Sequence, residues 1–328
     1  MNEPFIRIKN IKMWYPVKKG MSFLRPAAKR KWVKAVDGIS LNIEKREILG
    51  IIGESGCGKS TLGRVITHLE NSTSGDVFLD GASTITMLKA NPKEFRRNVQ
   101  IIFQNPFDTF TPRDVIGEIL IRPLRNHGIG LNNAERRKMC IEALETYGLL
   151  PGEQIMERYP HELSGGQLQR ISIIRSMSLN PRFVVADEPV SMLDVSVRSD
   201  IINMLLKLRE EKGTTLIFIS HDIAVTRYIS DKIAVLYLGR IIEYGPSDSI
   251  VQNPKHPYTQ ALISNCGSID PDDETLAIDI QGEPPVPINP GPGCYFAPRC
   301  PYASAICYEN YPDEVYVDKY HYAACFIV

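Results

Sequence analysis

Residues 53–60 read GESGCGKS and follow the apolar run ILGII directly. No other stretch restricts the fold as tightly. Gly53, Gly56 and Gly58 allow the backbone to wrap closely round a phosphate. Lys59 can neutralise β/γ-phosphate charge, and the Ser60 hydroxyl can ligate Mg²⁺. Glu54, Ser55, Cys57 and Thr61 join the cradle, Cys57 through its backbone alone. An apolar strand before the loop and the helix-like KSTLGRVITHLE after it supply the expected strand–turn–helix context.

The rest of the chain must therefore build an α/β sheet round that turn. FIRIKNIKMWY alternates as a strand, and AVDGISLNIEKREILGIIG holds two strand-like runs, the second apolar as a buried strand should be. SGDVFLDGAS predicts a hairpin, and NVQIIFQNP a strand ended by Pro106. From Asp114 to Met177 the pattern is helical, clearest in NAERRKMCIEALETYGLL. RFVVADEP is a strand ending in acids, and DVSVRSDIINMLLKLREEKG a helix closed by Gly213. TTLIFIS is a strand, DIAVTRYIS a short helix, and KIAVLYLGRIIEYG a hairpin turning at Gly239–Arg240. This alternation predicts an α/β fold on a largely parallel sheet, with an inserted helical subdomain at about 107–177. The main domain is expected over 1–250. Residues 251–328 form an extension: a Pro/Gly-rich linker (DPDDETLAIDIQGEPPVPINPGPG), then a cysteine-bearing tail.

Two further stretches carry chemistry. FVVADEP brings Asp187 to the C-terminal edge of a strand, where open α/β sheets bind ligands. Asp187 would hold Mg²⁺, and Glu188, on the opposite side of the backbone, would orient or deprotonate an attacking water. ELSGGQLQR, residues 162–170, places two glycines behind a serine at a helix start, which again suits an anion. One chain thus carries two phosphate-binding elements about a hundred residues apart.

With these residues in place, the chain resembles the ATP-binding-cassette (ABC) family over residues 5–250. LSGGQ, Leu163 to Gln167, matches that family's signature. The resemblance implies that Gln104 in IFQNP touches Mg²⁺ and the attacking water and senses a membrane partner. It makes Asp194 in SMLD the end of the D-loop, His221 the switch histidine on the γ-phosphate, and Tyr15 the aromatic that stacks on adenine, with Trp14 the weaker candidate. Met192 stands where the family usually has alanine. The family's geometry also accounts for the second anion site. The Ser164, Gly165, Gly166 and Gln167 region grips the γ-phosphate of a nucleotide held by another subunit. Two subunits then sandwich two ATPs head to tail, and catalysis is chiefly positioning and electrostatics.

Within the family, WYPVKKG with its basic insertion, HPYTQAL at 256–262 and the tail GCYFAPRCPYASAIC resemble the oligopeptide/dipeptide-type importers, in their F-type rather than D-type ATPase subunit. That implies a second ABC ATPase chain, two transmembrane permease subunits and an extracytoplasmic substrate-binding protein. Oligosaccharide or nickel cargo stays open, as does a soluble, non-transport ABC ATPase. The tail cysteines Cys294, Cys300, Cys307 and Cys325 fit neither a zinc ribbon nor a ferredoxin run. Four thiols in a small segment suggest a metal staple. The resemblance implies a [4Fe–4S] cluster, with zinc, or free or disulfide-bonded cysteines, as alternatives. Cys140 and Cys266 read as buried or neutral.

Composition narrows the setting. Lys+Arg and Asp+Glu balance at 38 each, which argues against a nucleic-acid partner. The local exception, Lys18 to Lys34 with seven cations and no acid, is either a solvated loop or a membrane-surface or partner contact. No apolar run reaches the ~18 residues of a membrane span, and MNEPFIRIKN lacks a signal peptide's apolar core. The expected place is the cytoplasmic face of a membrane, reached through partners.

Overall fold

The structure, a computed structural model, describes residues 3–17, 31–191, 193–264, 280 and 282–328. The chain forms two compact units, one of Met1–Ile43, Ile48–Ser83 and Phe218–Val328, the other of Glu44–Glu47 and Thr84–Ile217. Lys18, Lys19, Arg25, Lys29 and Arg30 of the basic stretch, together with Met192, Cys266 and most of the acidic linker, lie outside the described residues.

The first unit opens with β1 (Ile6–Pro16) and β2 (Trp32–Ile43), antiparallel from Ile6↔Ile43 to Pro16↔Trp32. Ile6, Ile8 and Ile11 face Ile39, Leu41 and Ile43 on the buried side. β3 (Ile48–Ile52) is buried at all five residues and feeds the phosphate loop, after which α1 (Lys59–Ile66) begins. β4 (Ser74–Leu79) pairs antiparallel with β1, and β5 (Ala82–Ser83) returns through Asp80–Gly81. Both turn residues have positive φ, 53° and 76°, as a tight hairpin requires.

The second unit starts with α2 (Thr84–Ala90) and α3 (Pro92–Asn98), a helical pair that the sequence reading lacked. Asn91 caps α3 by accepting the Glu94 N–H, and Pro92 takes the first helical position. β6 (Val99–Ile102) follows, then α4 (Ile116–Asn126), α5 (Asn133–Thr146), α6 (Gly152–Glu157) and α7 (Gly165–Met177). The expected helical stretch is therefore four helices. Gly128, Gly130 and Gly148, all with positive φ, break it. β7 (Phe183–Asp187) lies parallel to β6, from Val99↔Phe183 to Ile102↔Ala186. α8 (Val195–Lys212) stops at Gly213, φ 67°, and β8 (Thr215–Ile219) carries the chain back toward the first unit.

There α9 (Ile223–Ile229) leads to β9 (Lys232–Tyr237), which is parallel to β3, and β10 (Arg240–Pro246), which is antiparallel to β9. Their hairpin turns at Leu238–Gly239, φ 42° and 79°, one residue earlier than expected, because the turn needs left-handed backbone at both central residues. Next come α10 (Ser247–Gln252), α11 (Pro257–Ser264), α12 (Ala305–Glu309) and the short strands β11 (Val315–Tyr316) and β12 (Tyr322–Ala323). The tail does not hang free: the strand order β11-β12-β10-β9-β3 joins it to the strand that carries the phosphate loop. In the described part of the Pro/Gly-rich segment, Ile288 bridges Val33, and Asn289 exchanges hydrogen bonds with the Trp32 backbone, so this part docks on β2.

One apolar cluster holds these pieces together. Tyr237, Tyr258 and Phe296 stack edge-on with ring centroids 4.7–5.4 Å apart, all buried. Each such ring contributes roughly 1.5–3 kcal/mol on burial, so the three link β9, α11 and the tail strongly.

Candidate active site

In the first unit the phosphate loop is forced to be glycine. Gly53 (φ 152°) and Gly58 (φ 106°) press against the backbone so closely that a Cβ would lie 2.2 Å from the Leu236 carbonyl oxygen and 2.0 Å from that of Ala35. The Gly239 N–H donates to the Cys57 carbonyl at 2.8 Å and fixes the loop's inner side. Lys59, 5% exposed, donates from Nζ to the carbonyls of Gly53 (2.7 Å) and Glu54 (3.0 Å), so its ammonium is held inside the loop. α1 starts at Gly58 with no side-chain cap and no acid in its first turn, which leaves its N-terminal dipole to an anion. Ser55 and Gly56 are exposed on the loop's outer side, whereas Ser60 and Thr61 are half-buried at the start of α1. The Cys57 thiol is buried beside Gly53, and burial pushes its pKa up.

Tyr15 donates its hydroxyl to Glu70 and also engages Thr61, which ties the ring to the start of α1. Burial raises its phenol pKa first, and Glu70 adds to this. Trp14 instead turns its Nε1 to Asp37 at 3.1 Å and lies under the ammonium groups of Lys34 and Lys12. His221 is exposed just past β8; the preceding residue is pinned by the Ser220 N–H donating to the Ile51 carbonyl at 3.1 Å.

The second unit brings together the acid pair and the glutamine. Asp187, 3% exposed, ends β7. Glu188 is half-buried, and Gln104 Nε2 donates to its Oε2 at 3.0 Å. Strand alternation does not set the direction of Glu188. Its φ of 46° is left-handed, a strained conformation for a non-glycine residue and one concentrated at functional sites. Ser191 closes the turn, donating from its N–H (3.3 Å) and Oγ (3.1 Å) to the Glu188 carbonyl. Gln169 on α7 donates to the Phe103 carbonyl at 3.3 Å and so braces the strand that presents Gln104.

The signature is a capping box at the start of α7, a feature legible in S-x-x-Q that the sequence reading did not use. Ser164 Oγ accepts the Gln167 N–H at 3.3 Å, and Gln167 Oε1 accepts the Ser164 N–H at 3.0 Å. The two glycines differ in kind. A Cβ at Gly165 would meet open space, while at Gly166 it would lie 2.9 Å from a Val197 methyl on α8. Gly165 leaves room for a ligand, and Gly166 lets α7 pack beside α8, the helix that begins directly after Asp194. An Arg170–Asp200 ion pair at 2.7 Å holds the same two helices.

The tail touches the phosphate loop. Arg299 makes a bidentate pair with Glu54, Nη1–Oε2 at 2.7 Å and Nη2–Oε1 at 3.0 Å. The Glu54 N–H donates to the Tyr258 hydroxyl at 2.8 Å. Close by, Cys294, Cys300, Cys307 and Cys325 line a single small cavity of about 20 Å³, walled otherwise by Pro257, Phe296, Phe326 and other apolar groups. None of the four is in a disulfide, and burial raises the Cys294 thiol to about 11. His256 also lines the cavity. Its Nδ1 accepts the Tyr258 N–H at 3.0 Å, and its buried Nε2 has no hydrogen-bond partner among the described residues. Burial lowers its pKa to about 3, so the ring is neutral. Among the described residues no group of three or more His, Cys, Asp or Glu is arranged to hold a metal ion, so the expected cluster or zinc ligation is not seen there. No helix of the described residues is long and apolar enough to cross a membrane.

Known proteins resemble this chain over most of its length. Residues 36–191 match the family model described as ABC transporter, and residues 242–307 that described as oligopeptide/dipeptide transporter, C-terminal region. The chain is 44% identical over 303 residues to the dipeptide transport ATP-binding protein DppF of Escherichia coli (strain K12), covering 92% of this chain and 87% of that protein. It is 41% identical over 324 residues to the putative oligopeptide transport ATP-binding protein YkfD of Bacillus subtilis (strain 168), covering 98% and 95%. Among solved structures it superposes on the dimeric post-hydrolysis state of the ATP-binding cassette MJ0796 bound to ADP and Pi. There the TM-score is 0.64 at 31% identity, covering 74% of this chain and 98% of that one.

Proposed function

The chain belongs to the ABC transporter family, among its oligopeptide/dipeptide-type ATP-binding proteins, and from that premise we propose that it powers the import of di- and oligopeptides. It is an ABC ATPase, working with ATP and Mg²⁺, of a kind that serves membrane permeases. The observation that carries the peptide reading is the match of residues 242–307 to the oligopeptide/dipeptide C-terminal region, alongside similarity over nearly the whole length to peptide-import ATPases.

Each residue has a proposed role. Gly53–Thr61 wrap the phosphates, Lys59 neutralises their charge, and Ser60, Gln104 and Asp187 serve Mg²⁺. Glu188 is the base for the attacking water, and its hydrogen bond to Gln104 supports that assignment. His221 contacts the γ-phosphate and Tyr15 the adenine. Ser164, Gly165, Gly166 and Gln167, with Asp194 beside them, close on the nucleotide of a second ABC ATPase chain. Hydrolysis then needs two ATPase chains, which serve a pair of permease subunits and an extracytoplasmic substrate-binding protein from the cytoplasmic face of the membrane. In the domain reading, 1–250 is the nucleotide-binding domain and 251–328 the extension.

The cysteine cavity is read as the seat of a [4Fe–4S] cluster held by Cys294, Cys300, Cys307 and Cys325. What supports this reading is that the four thiols are free of disulfides and line one apolar pocket. The His256 tautomer adds support: with Nδ1 accepting, the proton sits on Nε2, a buried donor suited to an anionic sulfur. When bound, the group supplies one-electron chemistry and a covalent staple.

Proteoliposomes carrying the complex purified with this chain test the cargo. ATP-driven uptake of labelled di- and tripeptides is expected; uptake of oligosaccharide or nickel instead would discard the peptide assignment. Anaerobic purification with iron and sulfide analysis checks the cluster: four irons per chain are expected, lost in Cys307→Ser.

A further inference from the structure

The pairing of Arg299 with Glu54 has no counterpart in the phosphate chemistry just described. Glu54 belongs to the loop, yet its carboxylate is held by a residue 245 positions away, and its N–H by the Tyr258 hydroxyl, 204 positions away. The Arg299 side chain is 7% exposed, and its two Nη groups make four hydrogen bonds: besides both Glu54 oxygens it donates to the Gly282 carbonyl at 2.8 Å and the Tyr237 hydroxyl at 3.4 Å. An arginine with this many fixed partners has one rotamer, and so does the carboxylate it grips.

Its neighbours in sequence belong to the cysteine cavity. Ala297 and Cys300 both line the cavity, and the single helical turn Ala297–Arg299 lies between them. The Cys300 N–H returns to the Ala297 carbonyl at 3.3 Å, and the Arg299 N–H to that of Phe296 at 2.9 Å. Cys300 and Arg299 thus share one hydrogen-bonded turn, a short backbone path from the cavity to the grip on Glu54.

We propose that Arg299 is a positioning residue for the phosphate loop, and that through it the state of the four-cysteine cavity sets the affinity for ATP. This rests on the reading of residues 53–61 as the ATP cradle. Arg299 touches no phosphate. It fixes the outer edge of the loop, while Tyr258 holds the backbone of the same residue. Loss of the clamp leaves the loop to order itself at the expense of binding.

The test uses the full-length protein and a non-hydrolysable ATP analogue, with melting curves to establish folding. Arg299→Ala should weaken analogue binding and, in ATPase assays of the purified transporter complex, raise KM about tenfold, while kcat falls less than twofold. Arg299→Lys should recover part of this, since lysine restores the charge but not the fork. Glu54→Gln should match Arg299→Ala, and the double variant should be no worse than either. Cys300→Ser should weaken binding in the native background and have no effect on top of Arg299→Ala. If Cys300→Ser does not fold, Cys325→Ser makes the same comparison. Unchanged affinity in folded Arg299→Ala overturns the proposal, and so does a cysteine effect of equal size in both backgrounds. Failure of the native protein to bind the analogue would instead overturn the ATP cradle itself.

Discussion

Substituting Asp37 tests how much the tail stabilises the unit that carries the phosphate loop. Its carboxylate is buried and receives the Tyr295 hydroxyl at 2.7 Å, Trp14 Nε1 at 3.1 Å, Arg240 at 3.2 and 3.4 Å and Lys34 at 3.3 Å. Arg240 in turn lies between the rings of Tyr295 and Tyr311, 5.0 and 4.0 Å from their centroids. Asp37→Ala leaves this cation without its partner. Breaking a buried pair costs about 3–5 kcal/mol. Arg240 is 30% exposed, so the lower end, about 3 kcal/mol, applies. At about 2 °C per kcal/mol for a chain of this size, the melting temperature should fall by about 6 °C. Asp37→Asn keeps an acceptor and loses only the charge, and should cost about half as much. The pH dependence fixes the sign. Burial by itself would raise the Asp37 pKa, but Tyr295, Arg240 and Lys34 overrule it and hold the carboxyl below its ordinary value. A lowered folded-state pKa gives stability that is complete above the unfolded value of about 3.9 and lost as pH falls through the folded one. The gap between native and Asp37→Asn proteins should therefore hold above about pH 4 and shrink as pH falls below it in calorimetric melts. A melting temperature for Asp37→Ala within about 1 °C of native, or a gap insensitive to acid, would refute the reasoning.

Three further outcomes follow from the site. Glu188→Gln should retain ATP but lower steady-state hydrolysis at least about a hundredfold; near-native turnover would remove Glu188 from the role of base. Gly58→Ala should abolish measurable ATP binding, because the new methyl meets the Ala35 backbone, while Gly56→Ala, whose Cβ meets nothing within 4 Å, should cost only the backbone strain of about 1 kcal/mol; equal losses in an ATP titration would contradict this. Gly166→Ala should slow ATPase several-fold by pushing α7 from α8, and Val197→Ala should restore it; absence of rescue in the double variant would show that the glycine is needed for something other than packing.

Much of the nucleotide chemistry was legible because each piece is short and contiguous. The Gly53–Ser60 loop, Asp187 at the end of an apolar strand and the glycines behind Ser164 each state their chemistry within eight residues. What escaped was set by φ or by distance along the chain. The left-handed backbone at Glu188 leaves no mark in FVVADEP, so simple alternation does not extend to it. Helix α3 did leave a mark, Asn91-Pro92 followed by Glu94, in the form of a cap and an N1 proline. The bonds of Arg299 with Glu54 and Tyr295 with Asp37 join residues more than 240 positions apart, which no local pattern announces. For the same reason the described part of the Pro/Gly-rich segment read as a linker, although Ile288 and Asn289 dock on β2.

The 245-residue interval between Glu54 and Arg299 also has a consequence for biosynthesis. At about 5–20 residues per second, a ribosome needs roughly 12–50 s to deliver the second partner after the first. Throughout that time the nascent loop emerges without its clamp, exposed to cellular nucleotide in an unlocked form. A protein interrupted before Arg299 would present every residue of the phosphate cradle and still lack the part that holds its rim, so translation itself acts as a timer on when the motor can first grip its fuel.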